Sequence, residues 1–251
     1  MGHIICVMNQ KGGVGKTTTT INLAACMARA GRQTLIVDLD PQCNATSGLD
    51  RKPLGAQHPL VCEVPWGESV VASDWPKLFL LPGCQSFGEV SLLNQEEGKS
   101  DENEEKTPIQ RLRELLQSGL KAYDYVLIDS PPAVSPLTKT ALECATEILM
   151  PIQCEFFAME GIAKMTSLIE RDRWLSTGIL LTMVDPTLEL TSEVKAQVRE
   201  FFGNIVFQTE IPRDVAFSEA SSYGKPVIEY APRSRGARAY IELCMEVFEN
   251  E

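Results

Sequence analysis

Ile4-Ile5-Cys6-Val7-Met8 runs straight into Asn9-Gln10-Lys11-Gly12-Gly13-Val14-Gly15-Lys16-Thr17-Thr18, and apolar residues then recur at Ile21, Ala24, Ala25 and Ala28. A short apolar run bounded by turn residues reads as a buried strand, and the second spacing as one face of a helix. Between them, Gly12, Gly13 and Gly15 let successive backbone N–H groups turn inward as a concave anion cradle, to which the helix N-terminus adds its dipole. Strand, glycine loop and helix in that order are the local signature of an α/β fold with a ligand site at a strand's carboxyl end.

Working outward, apolar runs alternate with helical patterns along the whole chain. The strand-like runs are Ile4–Met8, Thr34–Val37, Leu78–Leu81, Tyr125–Ile128, Ile148–Ile152, Gly178–Met183 and Ile205–Phe207. Helical spacing covers Ile109–Leu120, Gly161–Leu175, Leu190–Phe202 and Gly236–Phe248. Such alternation predicts a doubly wound, mostly parallel sheet with helices on both faces. With no repeats and no linker, residues 1–251 read as a single domain carrying a polar, acidic excursion around 94–108. In sheets of this kind chemistry is sought just beyond the strand ends.

The glycine segment matches a P-loop in context. Lys16 is expected to reach the β- and γ-phosphates of a nucleotide, and the Thr17 hydroxyl to ligate Mg²⁺. The second strand ends Val37-Asp38-Leu39-Asp40-Pro41-Gln42, and its two aspartates at i, i+2 point to one side. One could hold the metal's water shell while the other orients an attacking water; either could cap the following turn. Tyr125-Val126-Leu127-Ile128-Asp129 is an apolar strand ending in a carboxylate, suited to holding Mg²⁺ through water.

The KGGVGKTT string lacks the usual first glycine, which is Gln10 here, and adds Lys11. It resembles the deviant Walker A motif of the ParA/MinD family of P-loop NTPases. That resemblance implies ATP and Mg²⁺ as cofactors, held by Lys11, Gly12, Gly13, Val14, Gly15, Lys16, Thr17 and Thr18, with Thr17, Asp38 and Asp129 on the metal. It implies that Lys11 crosses a homodimer interface to the partner's ATP and that Asp40 is the hydrolytic aspartate. Asp129-Ser130-Pro131-Pro132 resembles the nucleotide-sensitive switch segment. Leu180–Asp185 and Ile211–Val215 resemble the base-side segments, which places Met183, Pro212 and Arg213 beside the adenine. Gly224-Lys225-Pro226 and Pro232–Ala237 are similar to the end of chromosomal ParA (Soj-like) proteins. The likeness runs nearly the full length, apart from about 50 to 110. What it implies is an ATPase, slow alone, that dimerises with ATP, binds duplex DNA without sequence preference and is triggered by a ParB-like protein.

Two positions depart from that pattern. Thr187 and Ala216 stand where Soj-like proteins carry arginines that touch DNA. Lys195, Arg199, Lys225, Arg233, Arg235 and Arg238 are left as candidates for a basic face or as ordinary surface charges. The net charge is −11, but much of the acid lies between Glu89 and Glu105, so the total alone does not exclude DNA. A protein-cargo scaffold with little DNA binding is the other destination open to the same ATPase. The acidic C-terminus, ending Glu249-Asn250-Glu251, disfavours an anionic membrane. Eight cysteines without a C-x-x-C pair read as buried thiols in a cytoplasmic protein.

Overall fold

The computed structural model describes residues 2–62, 64–88, 106–155, 158, 159, 162 and 176–250. The helix expected over 161–175, Ile162 apart, and the excursion up to residue 105 lie outside the described residues. Strand β1 is His3–Val7, helix α1 is Lys16–Arg29 and β2 is Thr34–Asp38. Two short helices follow, α2 (Asn44–Ser47) and α3 (Trp66–Ser69), and then β3 (Val71–Ala72) and β4 (Leu78–Leu81). The middle of the chain forms α4 (Pro108–Ala122), β5 (Tyr125–Asp129), α5 (Pro136–Cys144) and β6 (Glu147–Gln153). The last part holds β7 (Thr177–Val184), α6 (Glu189–Phe202), β8 (Val206–Pro212), α7 (Ala216–Ser222), α8 (Val227–Tyr230) and α9 (Arg235–Glu249).

These strands form one eight-stranded sheet in the order β3-β4-β2-β5-β1-β6-β7-β8. Every pairing is parallel except β3 with β4. The central strands β2 and β5 are buried along their whole length, as continuous Val, Ile and Leu runs require when helices cover both faces. On one face Leu112, Leu116, Leu137, Ala141 and Val198 pack on Ile4, Val37 and Ile128. On the other, Leu23, Met27, Tyr240 and Leu243 from α1 and α9 cover Ile5, Val7, Ile36 and Leu127. Burying one such aliphatic side chain is worth about 1.5–3 kcal/mol, so truncating Leu127 to Ala would cost about 2–5 kcal/mol once the cavity is included. Among the described residues no helix is long and apolar enough to cross a membrane.

Local signals set the helix starts. Thr107 and Gln110 form a reciprocal capping box at the start of α4, with Pro108 at its first turn. Ser135 caps α5 through Thr138 N–H, and Ser234 caps α9 through Ala237 N–H. Two expectations need correction. The last strand does not stop at Phe207 but continues through Gln208-Thr209-Glu210-Ile211 to Pro212. Its polar residues are satisfied from the side: Glu246 of α9 accepts from Gln208 N–H (2.6 Å) and Thr209 N–H (2.9 Å). The sheet also gains the antiparallel edge strand β3, two residues long, which no periodicity could announce.

Candidate functional site

β1 and β5 are central neighbours in exact register, Val7 opposite Asp129, and β5 pairs in turn with β2, Asp129 opposite Asp38. This adjacency brings the glycine loop and both acidic strand ends to one edge. Within the loop Gly13 and Gly15 adopt positive φ of 74° and 92°, a region that residues with a Cβ enter at a cost. Gly15 is the N-cap of α1 and supplies no side-chain cap, so the first-turn donors of that helix remain available. The loop is fastened at its flanks. Asn9 donates its amide to the Pro151 carbonyl on β6 (2.8 Å), and Thr182 on β7 donates its hydroxyl to the Val14 carbonyl (2.9 Å).

Lys16 is nearly buried, and its amine donates to the Lys11 carbonyl at 3.1 Å. Burial pushes its pKa below the usual lysine range, and the charges of Asp129 and Asp40 oppose that shift. Thr17 donates to Asp129 Oδ2 at 2.8 Å, and Thr20 donates to Asp129 Oδ1 at 3.3 Å. Asp129 is fully buried; desolvation first, and the Asp38 charge second, raise its pKa to about 8. Asp40 is close enough for its charge to act on Lys16, and its Oδ1 accepts from Gln42 N–H at 2.9 Å. Thus Lys16, Thr17, Asp40 and Asp129, picked from separate stretches of sequence, are gathered at one place.

Asp38 lies opposite Asp129 at the end of β2, and its charge acts on that carboxyl. Its Oδ2 accepts both the Thr46 N–H (2.9 Å) and the Thr46 hydroxyl (2.6 Å), while Oδ1 accepts the Asp40 N–H (3.2 Å). Burial lifts its pKa to about 6 against those hydrogen bonds. Thr46 in turn accepts from Gly83 N–H at 2.8 Å, so Asp38 pins α2 and the β4 exit to the end of β2. Both its oxygens accept from protein donors.

The other expected positions fall around this centre. Met183, at the end of β7, holds a left-handed φ of 53°, which strains a non-glycine residue. Val184 registers with Pro212, and Arg213 N–H donates to the Val184 carbonyl at 3.1 Å, so Met183, Pro212 and Arg213 share one strand-end ledge. Lys11 extends outward to Glu155, Nζ to Oε2 2.7 Å. Sequence reasoning missed Glu155, Thr46, Thr20 and Thr182, whose partners lie on other elements. Among the described residues no group of three or more His, Cys, Asp or Glu side chains is gathered that could hold a metal unaided.

The basic candidates separate into two sets. Lys195 and Arg199 share the single carboxylate of Glu210, at 2.7 and 3.1 Å, which offsets one of their two charges. Lys225, Arg233, Arg235 and Arg238 are exposed, as is Arg213 of the base-side ledge, and none of them forms an ion pair among the described residues. Asp214 draws them together by accepting from Ala216 N–H (3.0 Å) and Gly236 N–H (2.9 Å), the starts of α7 and α9. Thr187 is exposed and turned onto Asp185. Ala216 is buried instead, so its position in α7 is not a free surface site.

Residues 2–174 match the family model described as an AAA domain. The chain is 38% identical to the sporulation initiation inhibitor protein Soj of Bacillus subtilis, covering all of both chains. It is 42% identical to the chromosome-partitioning ATPase Soj of Thermus thermophilus, covering 97% of this chain and 94% of that one. Among solved structures it is similar to the cobyrinic acid a,c-diamide synthase of Mycobacterium smegmatis with bound ADP and magnesium, at TM-score 0.80 and 27% identity over all of this chain and 95% of that one. The chain belongs to the ParA/Soj family of chromosome-partitioning ATPases.

Proposed function

From that membership we propose that the chain is an ATP-dependent dimerisation switch that positions DNA, with Lys16, Thr17, Asp40 and Asp129 as its nucleotide centre. The observation that carries this reading is the meeting of the buried Lys16 with Asp40 and Asp129 at the mouth of a positive-φ glycine loop. Backbone donors of residues 12–18 and the Lys16 amine bind the phosphates; Met183, Pro212 and Arg213 form the ledge for the base. The hydroxyl of Thr17 and the carboxylate of Asp129 are hard oxygen donors of the kind Mg²⁺ takes beside substrate phosphates. A divalent ion held by them would supply positive charge to offset that of the phosphates. Asp38 acts on this centre from behind, by holding the Asp40 turn through its own hydrogen bonds.

Asp40 orients the attacking water, and Lys11 reaches the phosphates of the second protomer in an isologous sandwich. A ParB-like protein completes the cycle by stimulating hydrolysis. Support for DNA as the destination comes from Arg233, Arg235 and Arg238 around the α9 start, exposed and without ion pairs among the described residues, since such side chains are free to neutralise phosphates. One observation favours a protein-cargo scaffold: Thr187 is held by Asp185 and Lys195 and Arg199 by Glu210, which leaves a small basic face. Co-sedimentation with duplex DNA in ATP, ADP and no nucleotide decides between them. ATP-dependent pelleting supports the DNA reading; none at low salt, with ATP-dependent dimers present, transfers the protein to the scaffold reading.

A further inference from the structure

We infer that Glu155 is the positioning residue for Lys11, holding its amine on its own chain until a second copy presents phosphate. This rests on the dimer reading of Lys11 given above. Lys11 Nζ lies 2.7 Å from Glu155 Oε2. The Lys11 backbone, by contrast, is fixed within the loop: its N–H donates to Asn9 Oδ1 at 3.0 Å and its carbonyl accepts Lys16 Nζ at 3.1 Å.

Backbone geometry keeps the two partners in register. Asn9 bonds Pro151 on β6, and β6 ends at Gln153, two residues before Glu155. Glu155 N–H then donates to the Gln153 carbonyl at 2.8 Å, a tight turn at the strand exit. Loop and counter-ion are therefore carried on adjacent, hydrogen-bonded strands, β1 and β6. The Lys11 side chain is the part of this residue that can change partner without disturbing the loop.

Burial decides what such a pair can do. Both side chains are about half exposed, at 41% and 45%. A fully buried pair would resist separation because each charge would be left without water. A half-exposed pair strengthens a contact by roughly fivefold at most, and a phosphate anion in a dry interface is the stronger acceptor. Glu155 thus keeps Lys11 off its own chain's phosphates and releases it when the sandwich closes. Each dimer breaks the contact twice, so Glu155 sets a threshold for association.

The test uses the full chain as wild type, Glu155→Gln, Glu155→Asp and Lys11→Ala. Acylation of the Lys11 amine in the nucleotide-free monomer is followed by mass spectrometry. Sedimentation with Mg²⁺ and a non-hydrolysable ATP analogue then gives the dimer dissociation constant. Expected for Glu155→Gln are several-fold faster Lys11 acylation, unchanged analogue affinity of the monomer, and a dimer about three- to tenfold tighter, from two surface pairs removed. Glu155→Asp should fall between it and wild type. Unchanged acylation, or a Glu155→Gln dimer as weak as wild type or weaker, overturns the inference. A Lys11→Ala protein that dimerises like wild type removes the underlying reading of Lys11, and the inference with it, whatever the acylation shows.

Discussion

The Thr17 hydroxyl donates to Asp129 Oδ2 across 2.8 Å, joining the second residue of α1 to the last residue of β5, 112 positions along the chain. Thr20, from the next part of the same helix, holds the other oxygen. The carboxylate is thereby aimed at the loop by two hydroxyls while remaining fully buried. Burying an ionised carboxyl group costs free energy that only a cation or good donors offset.

Replacing Asp129 by Asn should therefore separate stability from nucleotide binding. Without nucleotide the variant should melt near the wild-type temperature, because burial already raises the pKa of Asp129 to about 8 and disfavours its ionised form. Addition of Mg²⁺ and ATP should raise the wild-type melting temperature and leave the variant nearly unmoved. Differential scanning fluorimetry with and without Mg-ATP reads both. Equal Mg-ATP shifts in the two proteins would remove Asp129 from the metal site.

Asp40→Ala should bind ATP and dimerise yet hydrolyse at least about a hundredfold more slowly, the usual scale for losing a positioned acid–base group. Asp40 accepts from Gln42 N–H and donates nothing to the loop, so phosphate contacts survive its removal. Sizing in ATP should show a longer-lived dimer. Turnover at the wild-type rate would exclude this role.

On DNA, the wild-type dimer should bind weakly with a shallow salt dependence. Arg235→Glu should reduce binding equally for unrelated duplexes and spare ATPase activity, since Arg235 is exposed and its nearest bond is to the Arg213 carbonyl at 3.4 Å. Thr187→Arg adds one cation per protomer at an exposed position and should steepen the salt slope by about one to two per dimer. Ala216→Arg is not a matching gain, because that site is buried and a long side chain there would overpack it. Fluorescence anisotropy across a salt series checks these outcomes; a Thr187→Arg dimer with an unchanged slope would move the interface elsewhere.

His58 gives the acid side of the stability curve. It is fully buried, its Nδ1 accepts from Leu60 N–H at 3.1 Å, its Nε2 has no hydrogen-bond partner among the described residues, and burial lowers its pKa to about 4 against the opposing pull of the Pro82 carbonyl. The folded state thus binds this proton less readily than the unfolded chain, whose histidine titrates near 6.5. Its contribution is present above pH 6.5 and is lost as pH falls toward 4, by about 2–3 kcal/mol. His58→Leu should lose about 1 kcal/mol at pH 7.5 from the orphaned Leu60 N–H, but its stability should fall less between pH 6.5 and 4.5. Urea unfolding at a series of pH values measures both; parallel curves would contradict the assignment.

Most of the sheet was legible because buried parallel strands are written as unbroken Val, Ile and Leu. Of β8 only the start was, since its continuation reads Gln-Thr-Glu and is stabilised by Glu246, Lys195 and Arg199 from other elements. Helix α5 carried only a local sign, Ser135 before Pro136. At the site, Lys16, Thr17 and Asp129 stand in local motifs whose spacing announces them. Glu155 and Thr46 do not, because their importance arises from contacts 144 and 8 residues away that only the folded sheet creates. Asp38 stands in a visible motif too, but its hydrogen bonds to Thr46 and to the Asp40 N–H depend on a turn that sequence alone does not orient.

The contact between Lys16 Nζ and the Lys11 carbonyl has a consequence for selectivity. The loop already satisfies its own cation with a neutral acceptor, so a newcomer gains only by the excess of its attraction over that of a peptide oxygen. A multiply charged phosphate has a large excess, because ionised acceptors form hydrogen bonds roughly twice as strong as neutral ones. A hydroxyl or an uncharged ester has almost none. On the proposed phosphate-binding role of the cradle, nucleosides and blocked phosphates of the same shape and size are expected to bind weakly for lack of charge, without any steric barrier.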